Sequence, residues 1–140
     1  MNRSRQLLFL LLFVALLAPA GSQQAGVPPV TLSGKVMGAS GKHPVYVALW
    51  SSAGFLVKPV QQIRIEPGSD SSFYFRVAPG AWALSGYEGV NENGKLDMGM
   101  FGPKEPSGFW HPFHAWRRPR FSDVSFTANS DQAQADIDLH

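Results

Sequence analysis

The chain has 140 residues, the size of a single domain, with 12 Lys+Arg against 10 Asp+Glu and no cysteine. The missing cysteine excludes a disulfide scaffold, a thiol nucleophile and a lipid anchor carried on a thiol. Arg3 and Arg5 lie in an N-terminal segment that reads as an export signal. Without it ten charges of each sign remain, and a near-neutral domain makes no electrostatic case for nucleic acid.

The export signal is expected over residues 1–20. Arg3 and Arg5 form its positive start, residues 7–17 are an unbroken apolar run, and Ala18-Pro19-Ala20 offers small residues for cleavage. Ser22 and Ala25 provide alternative cleavage points. A membrane anchor is the competing reading, but the run is well short of the roughly 20 apolar residues that span a bilayer. The mature chain is therefore expected in the periplasm or outside the cell, with no membrane span. Residues 21–29 are polar and punctuated by Gly and Pro, a flexible lead-in to a domain at residues 30–140.

Within that domain the apolar period is two. Residues 30–36 predict a first strand. Residues 45–50 predict a second, with Val45, Val47 and Leu49 on one face and Tyr46, Ala48 and Trp50 on the other. Both faces are apolar, as in a strand central to a packed sheet. Pro59 confines residues 55–60 to an edge or a loop. Residues 61–65 predict a short strand carrying Ile63 and Ile65, and Pro67-Gly68-Ser69-Asp70 a turn. In residues 73–77, Phe73, Phe75 and Val77 point inward and Tyr74 and Arg76 outward. A strand at 81–87 follows the Ala78-Pro79-Gly80 turn. Residues 124–127 and 133–139 predict two closing strands, the last with Ile137 and Leu139 on one face. No helical period is sustained. The pattern predicts an all-β chain folded as a single antiparallel β-sandwich.

Residues 88–109 hold the densest run of Gly, Asn and Pro. Within it Asn91, Asn93 and Asp97 fall at alternating positions of a calcium-loop pattern, Gly94 at the sharp turn and Lys95 where a backbone carbonyl would serve. The same side chains also suit an ordinary turn, where Asn and Asp bond to nearby backbone. The turn is the simpler reading and a degenerate calcium site its rival. His111 and His114 are spaced three apart, but Pro112 argues against the helix that would let them share a metal. Glu105 and His43 could join them only if the fold brought them close.

The segment after the loop carries Phe109, Trp110, Phe113, Trp116 and Phe121 with Arg117, Arg118 and Arg120, and Phe101 lies just upstream. Buried, these aromatics form a satellite core, which a domain this small needs. Exposed, Trp110 and Trp116 beside the arginines would bind a sugar, a peptide or a lipid head group. The three arginines are expected on a solvated face, pairing with Asp131, Asp136 and Asp138.

Three pieces carry a resemblance: Ala78 to Tyr87 (APGAWALSGY), Asn91 to Asp97 (NENGKLD) with Pro103 to Phe109 (PKEPSGF), and Pro119 to Phe126 (PRFSDVSF). Together they resemble the secreted bacterial family called domain of unknown function 2141. The resemblance implies a transthyretin-like or immunoglobulin-like β-sandwich, exported and without an assigned activity. The family loop usually opens with an aspartate where this chain has Gly89, preceded by Glu88, and residues 98–100 also depart from its usual run.

The expected function is that of an exported noncatalytic module of the cell envelope, binding or structural, with an envelope or extracellular partner. One alternative is the same module stabilised by calcium at Asn91, Asn93 and Asp97. The other is an envelope enzyme acting on carbohydrate or peptide through the loop carboxylates and His111 or His114. No G-x-S-x-G nucleophile turn is present to support catalysis.

Overall fold

Apolar side chains at every second position can share one face only in a pleated strand, and that period dictates most of this structure. The computed structural model describes residues 26–91, 98–99, 102–103 and 105–140. The expected export signal and the start of the lead-in lie outside the described residues. In chain order the elements are β1 (Val30–Met37), β2 (Val45–Trp50), β3 (Gln61–Ile65), β4 (Ser72–Val77) and β5 (Gly80–Glu88). They continue with β6 (Met98–Gly99), β7 (Gly102–Pro103), β8 (Ser107–Phe109), the helical turn α1 (Phe121–Val124), β9 (Phe126–Ala128) and β10 (Ile137–Asp138).

One sheet has the order β10-β1-β4 and the other β3-β2-β5-β8, with β9 also on β5; β6 and β7 form a separate hairpin. The sheets pack as a β-sandwich. Leu32 and Val36 of β1, Phe73 and Phe75 of β4, and Ile137 meet Val45, Val47, Leu49 and Leu84 from the other sheet. The inward and outward alternation expected of residues 73–77 is present. As expected for a central strand, β2 lies between β3 and β5 and is buried on both faces. Pro67-Gly68 turns the chain between β3 and β4, with Gly68 at φ +79, a backbone region that glycine enters without steric cost.

The end of the chain departs from the expected pattern in two ways. Val124, expected to open a strand, instead ends a turn of helix over residues 121–124, because Asp123 folds back onto the Arg120 amide at 2.7 Å. The last strand runs parallel to β1, not antiparallel, and its ladder is short: Val36 opposes Ile137 and Met37 opposes Asp138. Ahead of it, two carboxylates replace backbone acceptors. The Thr31 amide donates to Asp131 at 2.8 Å and the Lys35 amide to Asp136 at 2.9 Å. Asp131 and Asp136 therefore serve β1 and do not pair with the arginines. The alternation nevertheless holds, since Ala135, Ile137 and Leu139 are buried and their neighbours exposed.

This tail joins the two sheets. His140 and Ser107 of β8 exchange backbone hydrogen bonds at 3.3 and 3.4 Å, while Leu139 donates to Met37 at 2.9 Å. The approach is close enough that a Cβ at Gly34 would overlap the backbone of Ala135. Gly34→Ala is therefore expected to push the tail off β1 and cost about 1–3 kcal/mol, the range for overpacking. Thermal unfolding checks this; an unchanged melting temperature would mean the tail adds nothing to the fold.

Candidate functional site

β8 and β9 run in the same direction along one edge of β5. Residues 107–109 pair with 85–87, and residues 126–128 with 80–82. The Trp110 amide adds a further bond to the Leu84 carbonyl at 3.0 Å. The two are in effect one edge strand, interrupted by an excursion over residues 111–125 that leaves the sheet and returns to it.

Side-chain alternation divides the aromatics at the root of this excursion. Trp110 turns to the core, its ring edge-on to Phe126 with centroids 4.5 Å apart. Phe109 turns to the outer face of the larger sheet, where Phe55 is the hub of a small cluster. The Phe55 ring lies 5.9 Å from Trp50, 6.1 Å from Phe109 and 5.8 Å from Phe121. The Trp50 indole N–H is satisfied by Ser85 Oγ at 2.8 Å. Phe55 sits on a tight turn whose next residue, Leu56, takes φ +60, a strained region for a branched side chain. Of the aromatics expected in a satellite core, Phe109 and Phe121 join Trp50 and Phe55 in one, whereas Trp116 is exposed and Phe101 lies outside the described residues.

The outer part of the excursion is held by charge. Arg117 donates to both carboxylate oxygens of Asp123, Nη1 to Oδ2 at 2.8 Å and Nη2 to Oδ1 at 3.0 Å, a bidentate geometry that fixes orientation. Its guanidinium lies 5.0 Å from the centre of the Phe113 ring. The Arg117 hydrogen bonds, then the Arg120 amide, hold the Asp123 carboxyl below its ordinary value, at about 2. Braced in this way, the excursion presents Trp116 at 101% relative exposure. Arg118 and Arg120 are exposed beside it and form no ion pair among the described residues. The two tryptophans read together from the sequence thus occupy opposite environments.

The histidines also separate. His111 stacks edge-on against Trp110 at 4.9 Å, while the His114 ring lies 6.0 Å from that of His140, a neighbour that sequence spacing gave no means of finding. Among the described residues no three of His, Asp and Glu gather as a metal site would require.

The loop at residues 88–105 is tied at its base by two buried carboxylates. Glu88, 3% exposed, accepts from the Ser40 amide at 3.0 Å and from the Ser40 hydroxyl. Glu105, 6% exposed, accepts from the Asn91 amide at 3.4 Å. Backbone bonds from Glu88 to Pro106 and from Gly89 to Pro44, at 3.0 and 2.7 Å, complete the closure. Of the residues read as a calcium set, Asn91 stands at this base, whereas Asn93 and Asp97 lie outside the described residues. At Gly89 a Cβ would come within 2.7 Å of the Tyr46 ring, which stacks on Tyr87 with centroids 5.1 Å apart. The Tyr46 ring therefore leaves no room for an aspartate at that position.

A groove of about 740 Å³ opens between the edge strands β3 and β4, lined by Ile63, Phe73 and Phe75 and by Arg64, Glu66 and Arg76. A smaller one of about 350 Å³ lies between β1, β4 and the tail. Neither contains a histidine or any residue of the excursion.

These features define a small β-sandwich that carries a fully exposed tryptophan on an extruded, arginine-braced aromatic segment. The chain belongs to the bacterial family of uncharacterized proteins termed domain of unknown function 2141, whose model matches residues 38–136. Neither the curated proteins nor the solved structures provide a match.

Two outcomes are expected. Glu88→Ala removes the charged acceptor of the part-buried bond from the Ser40 amide and should cost about 1–3 kcal/mol in denaturant unfolding. Asp123, followed by carboxyl-carbon NMR, should titrate with a midpoint of about 2 against an ordinary 3.8. Because its folded value is depressed, the stability the brace contributes is complete above the unfolded value and is lost as pH falls through the folded one. A midpoint at the ordinary value would mean that Arg117 does not hold it.

Proposed function

We propose that this chain is an exported, noncatalytic binding module of the bacterial cell envelope, with the excursion at residues 111–125 as its binding edge. The observation that carries this reading is the complete exposure of Trp116 on a braced segment. A large apolar side chain kept out of the core contributes nothing to folding, and an exposed aromatic rimmed by arginine marks interaction surfaces. Export rests on the N-terminal segment, with its basic start and apolar run.

The reading is tested with the mature chain from Gly21, which contains every described residue, labelled and mixed with a bacterial envelope fraction. Wild type is expected in the envelope pellet. Trp116→Ala should reduce that fraction severalfold while leaving the melting temperature unchanged. Equal retention of the two proteins would defeat the assignment of the binding edge.

A further inference from the structure

The chemistry of the binding edge narrows its partner. Residues 110–120 include three arginines and two histidines and no acid. Asp123 pairs with Arg117 and also feels the charge of Arg120, so one acid faces three arginines and the surface keeps a positive sign. The partner is therefore anionic. From residue 113 to residue 120 there is no Asp, Asn, Glu or Gln. Recognition of sugar hydroxyls relies on such carboxylates and amides to fix orientation, so an indole flanked only by guanidinium groups is poorly made for a glycan. Trp116 is fully exposed, so it stands on a projecting tip and not inside a pocket.

A projecting indole with exposed arginines beside it matches one kind of surface well. At a lipid bilayer the headgroup layer accepts an amphipathic ring without needing a preformed cavity, and phosphates lie in the same layer. We infer that Trp116 enters the headgroup region of an anionic membrane while Arg118 and Arg120 bind its phosphates, so that the module docks peripherally. Among the described residues no helix is long and apolar enough to cross a membrane, and docking of this kind needs none. The Arg117–Asp123 brace fixes the tip before contact, so little order has to be gained on binding. This inference rests on the binding-edge reading above and adds the identity of the surface.

The experiment is cosedimentation of the mature chain from Gly21 with vesicles of phosphatidylcholine alone and of phosphatidylcholine mixed with phosphatidylglycerol. The signal segment is left out because its apolar run would bind lipid by itself. Wild type should partition at least tenfold more strongly onto the anionic vesicles, and added salt should weaken this. Each arginine near an anionic surface adds about fivefold to partitioning, so Arg118→Ala with Arg120→Ala should lose roughly 25-fold. Trp116→Ala should abolish the blue shift of tryptophan emission seen on anionic vesicles, at an unchanged melting temperature. Equal binding to both vesicle types, or anionic binding that these variants leave intact, overturns the inference. A parallel arm uses immobilised alginate, a soluble polyanion. Retention there that depends on Trp116, with none on vesicles, overturns the lipid assignment and keeps the binding edge. If Trp116→Ala matches wild type on every surface, both readings fall.

Discussion

Strand β5 is hydrogen-bonded along both edges, and that double pairing determines where everything else can lie. One edge is taken by β2 over residues 83–88. The other is shared by β8 and β9, which use its two ends and leave only a short gap between them. Two collinear strands on one edge force the chain between them outward. The aromatic excursion is thus a product of the ladder, and its ends are fixed as firmly as the sheet itself. A segment clamped in this way has little freedom at its root, so a few side-chain contacts suffice to set the position of its tip.

A second regularity concerns the acids. In a chain without disulfides, segments that lack a ladder need other ties. Here Glu88, Glu105, Asp123, Asp131 and Asp136 each accept a hydrogen bond from a backbone amide. A charged acceptor makes a stronger bond than a neutral carbonyl, so each works as a clip. The clips lie at three places: the base of the long loop, the start of the helical turn and the tail on β1. They also alter the surface. Equal numbers of each sign in the mature composition would suggest a mixed face, yet among the described residues these five acids are engaged with backbone. The arginines of the excursion are left with Asp123 alone.

Much of this fold was legible because strand period is a local property. The pattern in residues 73–77 has one physical solution, and the two apolar faces of residues 45–50 identified a central strand. What stayed hidden depended on distant pairing. Nothing near Asp131 or Asp136 shows that they face amides of β1, about a hundred residues upstream. The parallel direction of β10 likewise follows from how the tail crosses between the sheets. At Gly89 the missing aspartate was visible, but its reason, the ring of Tyr46, lies on another strand. The aromatic segment was readable as a unit. Its division was not, because the two possible fates of its aromatics are both realised, at different residues.

That division bears most directly on function. Trp110 and Trp116 belong to one short, basic, aromatic stretch, and composition treats them alike. Trp110 follows Phe109 on an edge strand, so alternation turns it toward Phe126 and the core. Trp116 lies beyond the point where the ladder has released the chain, and no strand period acts on it. Its position is governed by the Arg117–Asp123 pair and by the Phe113 ring under the guanidinium. Those contacts involve its neighbours and leave the indole untouched. A brace that fixes a loop without covering its largest apolar side chain stabilises exposure. In a small domain that already places three other tryptophans in partly covered positions, such exposure is better explained by something the indole meets outside the fold than by anything inside it.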